Sequence, residues 1–164
     1  DEVKAGFVTM VAANYLKPKE SPDAWVVEVV NTMKTGDCDK LEKLLTSFFA
    51  SIPYSQRRKD DEREKERYFQ YTFYLVIRMI SSFTVLIEKE QSEGRVDCII
   101  ETPMFVYIFE FKRDGSATEA LKQIEEKGYA REYATDNRTI YLIGCNFSSK
   151  TGTIDDWKSK GKSV

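Results

Sequence analysis

The alternation of apolar and polar residues divides the chain into a helical first third and a mixed remainder. Helices are predicted over residues 2–16 and 22–33, and a third begins after Asp37, which would cap it. The apolar residues of this third helix fall on one face, namely Leu41, Leu44, Leu45 and Phe48. The pattern therefore predicts a small helical lead-in over residues 1–55, followed by the main domain over residues 56–164.

The main domain is predicted to open with a long helix. A charged run over residues 56–67 begins it, and apolar residues from Tyr68 onward would pack against a sheet: Phe69, Phe73, Leu75, Val76, Met79 and Ile80. The elements that follow are a strand at 83–88, a hairpin at 94–112, a helix at 117–133, a strand at 138–147 and a short edge strand at 153–158. The core order is therefore α-β-β-β-α-β.

Charged residues interrupt the two apolar strands of the hairpin at 94–112. If the turn is centred on residues 103–104, with Pro103 at its first central position, Asp97 lies opposite Glu110. Strand alternation then places Lys112 on the same face as Glu110. The hairpin therefore brings two carboxylates and an ammonium group together.

The carboxylate pair needs a positive partner. Carboxylates that face each other across two strands repel, and apolar neighbours on both faces indicate a sheet buried on two sides. A bare pair there would be costly to desolvate. A hard cation with oxygen ligands, Mg²⁺ or Mn²⁺, would neutralise Asp97 and Glu110. Arg95, on the same face as Asp97, is the alternative partner.

An acidic residue on one strand and Glu110-Phe111-Lys112 on the next resemble the motif of the PD-(D/E)xK nuclease superfamily. The leading proline of that motif is absent, because Asp97 follows Gly94-Arg95-Val96. Over residues 40–158 the chain looks like the C-terminal nuclease domain of bacterial proteins with an ATPase-like N-terminal domain. Three segments carry this likeness: Gly-Arg-Val-Asp, Phe-Glu-Phe-Lys and Gln-Ile-Glu-Glu-Lys-Gly-Tyr-Ala.

The resemblance implies a restriction-endonuclease-like core of the α/β (α+β) class, in which a mixed sheet is flanked by helices. It implies that Asp97, Glu110 and the main-chain carbonyl of Phe111 hold Mg²⁺. It further implies that Lys112 orients or deprotonates the attacking water. Gln123, in the following helix, would contact the catalytic site or the substrate phosphates.

Further site residues follow from the same resemblance. Glu66 matches the acidic motif of the first helix and would complete the metal shell, with Glu62, one turn earlier, as the competitor. Some branches pair the helix glutamine with a tyrosine four residues later; here Lys127 holds that position, and Tyr129 lies two residues further along. Gln123 and Lys127 share a helix face. The candidate phosphate contacts are Arg95, Arg113 and Lys127.

Composition narrows the chemistry. The chain has no histidine, which excludes Ser-His-Asp and Cys-His catalysis, histidine zinc sites and a histidine base. Its net charge of −2 argues against an indiscriminate nucleic-acid coat protein. The cysteines are widely spaced and predicted to be reduced and buried: Cys38, Cys98 and Cys145. No apolar run is long enough to span a membrane, which predicts a soluble, cytoplasmic protein. The start at Asp1 without a methionine suggests a piece of a longer protein.

Together these features predict a Mg²⁺- or Mn²⁺-dependent nuclease, a phosphodiester hydrolase that acts on nucleic acid and on DNA in particular. The alternative is a catalytically silent interaction module that keeps the nuclease fold beside the ATPase-like domain. The expected partners are DNA, that N-terminal domain in the full-length chain, and a second copy of the chain in a homodimer. No membrane association is expected.

Overall fold

The computed structural model of the chain describes residues 22–51, 72–78 and 83–162. The predicted helix at 2–16, the charged run at 56–67 and the boundary between residues 55 and 56 lie outside this part of the chain. Glu62 and Glu66 lie outside it as well.

Two helices form the described part of the lead-in, α1 at Pro22–Thr35 and α2 at Cys38–Ser51. The Asp37 carboxylate accepts the backbone N–H of Lys40 at 2.9 Å, so the predicted cap of α2 is confirmed. The buried residues of α2 recur at helical spacing and are Cys38, Leu41, Leu45, Phe48 and Phe49. One apolar face of α2 is thus turned to the core.

Residues 72–78 form helix α3, the described part of the predicted long helix. Phe73 and Val76 are buried, as the pattern predicts, and so is Ile77, which the prediction did not include. The other predicted packing residues, Phe69, Met79 and Ile80, lie outside the described residues. Leu75 is 49% exposed, so its assignment to the packing face was wrong. Residues three and four apart share a helix face, and Leu75 lies two positions from Phe73 and Ile77, on the other side.

Five strands form one mixed sheet in the order β1-β2-β3-β4-β5. Their bounds are Thr84–Gln91 (β1), Gly94–Glu101 (β2), Phe105–Arg113 (β3), Thr139–Ser148 (β4) and Thr153–Lys162 (β5). Neighbouring strands are antiparallel except β3 and β4, which are parallel. The predicted short edge strand is β5 and is four residues longer than expected, since it runs to Lys162. The predicted α+β fold is confirmed.

The crossover between the parallel strands contains α4, at Ala117–Glu126, and a 3-10 helix at Tyr129–Tyr133. A single helix over residues 117–133 was predicted, and this was wrong at its C-terminal end. Gly128 adopts φ +63, the left-handed conformation that glycine tolerates and that ends a helix.

The register of the hairpin matches the prediction. Cys98 pairs with Phe109 and Ile99 with Ile108, as a turn centred on residues 103–104 requires. At that turn the side-chain oxygen of Thr102 accepts the backbone N–H of Phe105 at 2.9 Å.

Two hydrophobic clusters cover the two faces of the sheet, so the predicted burial on both sides is confirmed. The first cluster joins the sheet to α1, α2 and α3 and includes Trp25, Met33, Leu45, Phe73, Cys98, Phe109 and Phe147. The second cluster joins the opposite face to α4 and the 3-10 helix and includes Val96, Ile99, Ile108, Ile124 and Tyr129. The three cysteines are buried and free, as predicted. In the described part of the chain, no helix has the length and apolar character to cross a membrane.

Candidate active site

The site lies where β2 and β3 separate. The last backbone pair of the two strands at this end is Cys98 with Phe109. Beyond it, the Asp97 Oδ2 atom accepts the backbone N–H of Phe111 at 2.9 Å. The Asp97 carboxylate thus takes the place of a main-chain partner, beside the strand that carries Glu110.

Glu110 is a buried acid with an incomplete set of hydrogen bonds. Its residue is 3% exposed. Its Oε1 atom accepts a hydrogen bond from the Nε2 group of Gln123 on α4. Its Oε2 atom is buried and has no hydrogen-bond partner among the described residues. A buried carboxylate oxygen without a partner is costly, which makes this atom the strongest indication of a missing positive ligand.

The pKa values of the two acids reflect the same shortage of positive charge. Burial, and then the charge of Asp97, raise the pKa of Glu110 to about 8, although the charge of Lys112, the backbone N–H of Asp97 and the Gln123 side chain oppose that rise. Burial also raises the pKa of Asp97, and the backbone N–H of Phe111 and the charge of Lys112 oppose that rise. The pair is therefore unfavourable when both acids are ionised, and a divalent cation would stabilise it.

Lys112 and Gln123 complete a fixed arrangement around Glu110. The Nζ group of Lys112 donates to the Oε1 atom of Gln123 and lies 3.8 Å from the Oε1 atom of Glu110. Gln123 therefore uses both ends of its amide, accepting from the lysine and donating to the glutamate. A capping box of Ser116 and Glu119 begins α4 and sets the position of the helix that carries Gln123.

Tyr129 is a residue that the sequence reasoning left out of the site. Its hydroxyl donates to the backbone carbonyl of Arg95 at 2.8 Å and hydrogen-bonds with the Gln123 side chain. Burial raises its pKa. In one continuous helix, Tyr129 and Gln123 would not lie on the same face. The glycine at 128 was the sequence signal that the helix ends and that Tyr129 returns to the site.

The three candidate phosphate contacts have the following neighbours in the structure. Arg95 is exposed, and its Nη2 atom lies 3.8 Å from the Glu88 carboxylate. Its charge opposes the rise in the pKa of Asp97, but its ion pair is with Glu88. Lys127 is exposed and approaches Gly94, next to Arg95, because a Cβ built on that glycine would lie 3.7 Å from the lysine Cδ. Arg113 ends β3, with its Nε atom 3.9 Å from the Asp114 carboxylate.

The donor set fits a hard divalent cation. Asp97 and Glu110 supply carboxylate oxygens, and one of these oxygens is buried without a partner. Within residues 22–51, 72–78 and 83–162, no three cysteine, aspartate or glutamate side chains converge on a metal position. The predicted third acid, Glu66, lies outside those residues. Among the described residues, the candidate metal ligands are therefore the carboxylates of Asp97 and Glu110 and the adjacent main chain.

Comparison with known proteins finds a family model that matches more than half of the chain. The model of the family described as the PD-(D/E)XK nuclease superfamily matches residues 64–157. A protein of Azotobacter chroococcum mcd 1, described as an uncharacterized protein in the vnfD 5' region, is 31% identical over 155 residues. The match covers 93% of this chain and 30% of that protein, so the chain spans less than a third of its relative. No solved structure matches the chain.

Proposed function

Since the chain belongs to the PD-(D/E)xK nuclease superfamily, we propose that it is a metal-dependent nuclease that hydrolyses phosphodiester bonds in DNA. The buried Oε2 atom of Glu110, without a hydrogen-bond partner among the described residues, is the observation that carries the proposal. It lies on the acid whose pKa is raised most clearly by burial and by the neighbouring Asp97. An acid held in this way is suited to binding a cation.

Asp97, Glu110 and the main-chain carbonyl of Phe111 would hold Mg²⁺ or Mn²⁺, with Glu66 as a further donor. Such a cation, when bound, makes a coordinated water more acidic and offsets negative charge on a phosphate group. The protein supplies oxygen ligands, which Mg²⁺ and Mn²⁺ prefer. It also fixes one of them, because the Asp97 carboxylate is held by the N–H of Phe111.

Lys112 supplies the proton chemistry in this proposal. Its side chain is partly exposed, at 29%, and its ammonium group is hydrogen-bonded to Gln123. It can therefore contact the attacking water or a phosphate oxygen without moving away from Glu110. Gln123 keeps both groups in place, since rotating its amide would break both of its hydrogen bonds. Positioning of this kind contributes strongly to catalysis.

Arg95, Arg113 and Lys127 would contact the phosphates on either side of the scissile bond. Arg95 lies on β2, Arg113 ends β3, and Lys127 follows α4 in the crossover. Their contacts would position the substrate without reading its sequence.

Cleavage of supercoiled plasmid in Mg²⁺ or Mn²⁺ tests the proposal. We expect Lys112→Ala to slow cleavage by about 100-fold or more, the usual effect of losing an acid-base group. Lys122→Ala is the matched control, because Lys122 is an exposed lysine on α4 that pairs with Glu126 at 3.4 Å. No cleavage by the wild type with either ion, or equal cleavage by Lys112→Ala, would refute the catalytic proposal. Wild-type DNA binding without cleavage would favour the silent interaction module instead.

We also propose that the full-length protein carries an ATPase-like domain before this one. The matched region is 30% of the relative, which leaves room for a further domain in a protein of that length. A cytoplasmic location and a homodimer remain predictions. Mass measurement of the chain in solution, with and without DNA, tests the dimer.

A further inference from the structure

The inside-outside alternation of β1 and β2 changes at one level of the sheet. Ile87 and Cys98 pair, and both contact the first hydrophobic cluster. Lys89 and Val96 also pair, two residues further along. Residues two apart in a regular strand face the same side. Val96 nevertheless belongs to the second cluster, and the Lys89 ammonium lies over an aromatic ring of the 3-10 helix.

The change occurs at Glu88 and Asp97. The backbone pairing passes from Ile87 with Cys98 to Lys89 with Val96 and includes no pair between these two residues. Glu88 has φ +49, the left-handed conformation that is unfavourable for a side chain with a Cβ.

This backbone conformation is uncommon in the molecule. Among the described residues other than glycine, only Asp114, in the turn after β3, also has a positive φ. Glu88 lies inside a strand, where an extended backbone is the norm. Irregular positions of this kind are frequent in edge strands and beside active sites, where they redirect a side chain.

Asp97 is the side chain that this irregularity redirects. In a regular β2, Asp97 would share a face with Ile99 and point into the second cluster. Its carboxylate instead accepts a backbone N–H from the neighbouring strand, at Phe111. The carboxylate thus points along the sheet towards β3, at the level of Glu110.

We propose that Glu88 is a positioning residue, whose left-handed backbone turns Asp97 out of the strand alternation and directs its carboxylate to the cation site. The part of this inference that concerns the cation rests on the proposed function. Glu88 acts here through its backbone, since its side chain is exposed and pairs with Arg95.

Three substitutions at this position separate the backbone role from the charge. Glycine adopts the left-handed conformation readily, whereas the β-branched valine strongly favours the extended one. We expect E88V to bind Mn²⁺ on the order of tenfold more weakly than E88G, the ratio that corresponds to the usual cost of this conformation. E88Q removes the charge and retains the unbranched side chain, so it should resemble the wild type more than E88V does.

Glu90 provides the matched control on the same strand. It is exposed, and its φ is not positive. There we expect no difference in Mn²⁺ affinity between E90V and E90G, and we expect E90G to be the less stable of the two. In cleavage assays, E88V should lower kcat relative to E88G with little change in KM for DNA. If Glu88 only stabilised the fold, E88V would not lower kcat while leaving KM for DNA nearly unchanged.

A second measurement needs no metal. The Phe111 amide proton, held by Asp97, should exchange with solvent faster in E88V than in E88G. If E88V does not fold, E88A should show a smaller change in the same direction. Equal Phe111 exchange in the valine or alanine variant and in E88G would overturn the inference, as would equal Mn²⁺ affinity in E88V, E88G and E88Q. A wild type that binds no Mn²⁺ and cleaves no DNA would count against the proposed function, while the exchange measurement still tests the role of Glu88.

Discussion

Replacing Glu110 by glutamine should stabilise the metal-free protein at alkaline pH and abolish its metal binding. The amide keeps the shape of the side chain and can still accept the hydrogen bond from Gln123. It removes a charge that burial and Asp97 make unfavourable, with the pKa of Glu110 raised from its ordinary 4.5 to about 8. At about 1.4 kcal/mol per pKa unit, ionisation of Glu110 costs the folded state about 5 kcal/mol at most.

The pH dependence follows from the direction of this shift. A group whose pKa is higher in the folded state contributes stability that is complete below its unfolded pKa and is lost as the pH rises through its folded pKa. The wild-type protein should therefore lose this contribution between about pH 4.5 and pH 8, and the glutamine variant should not. Because Asp97 shares the repulsion, we expect E110Q to be more stable than wild type by about 2–4 kcal/mol at pH 8.5.

Thermal unfolding followed by circular dichroism measures the difference. In chelator at pH 8.5, E110Q should have a Tm roughly 5–10 °C above that of the wild type, and the gap should close near pH 4. Adding Mn²⁺ should raise the Tm of the wild type only, because a ligand of the folded state stabilises that state. E126Q is the control, since Glu126 is an exposed acid on α4 and its replacement should change stability by less than about 0.5 kcal/mol.

The reasoning fails if E110Q is no more stable than wild type at pH 8.5 without metal. Such a result would mean that the Glu110 charge is compensated within the protein, so that no cation is required. An equal Mn²⁺-induced rise in Tm for both proteins would place the metal elsewhere.

Three further outcomes test the surroundings of the site. Tyr129→Phe removes the hydroxyl that reaches Gln123, and we expect about 1–2 kcal/mol less stability in urea unfolding, with slower cleavage at a nearly unchanged KM. Gly144→Ala would place its Cβ 2.2 Å from the backbone oxygen of Ala117, so this variant should lose more than about 2 kcal/mol or fail to accumulate in soluble form. Lys127→Ala should weaken DNA binding in chelator and reduce the slope of log K against log salt by about 1, as the loss of one phosphate contact requires. An unchanged slope in a binding titration over several salt concentrations would exclude Lys127 as a phosphate contact.

Much of the fold could be predicted because it depends on local periodicity. Apolar residues on both faces of the hairpin predicted a doubly covered sheet, and the turn at residues 103–104 predicted the register that pairs Ile99 with Ile108. Since side chains alternate with a period of two, that register alone placed Asp97 and Glu110 at the same level. The end of α4 was missed because the helical pattern continues past Gly128, whose left-handed conformation breaks it.

The sequence by itself determined that Asp97 and Glu110 lie at the same level of the sheet, because one turn sets the register of the two strands that carry them. Only the tertiary structure decided which carboxylate oxygen is buried without a hydrogen-bond partner and which groups fix the positions of the two acids. The buried Oε2 atom of Glu110 and the two-sided contact of Gln123 depend on the packing of α4 beside β3. The left-handed Glu88 interrupts the alternation that the sequence pattern predicts for a strand. Burial and hydrogen bonding are properties of packing, and no local pattern specifies where two strands stop pairing or which helix closes over them.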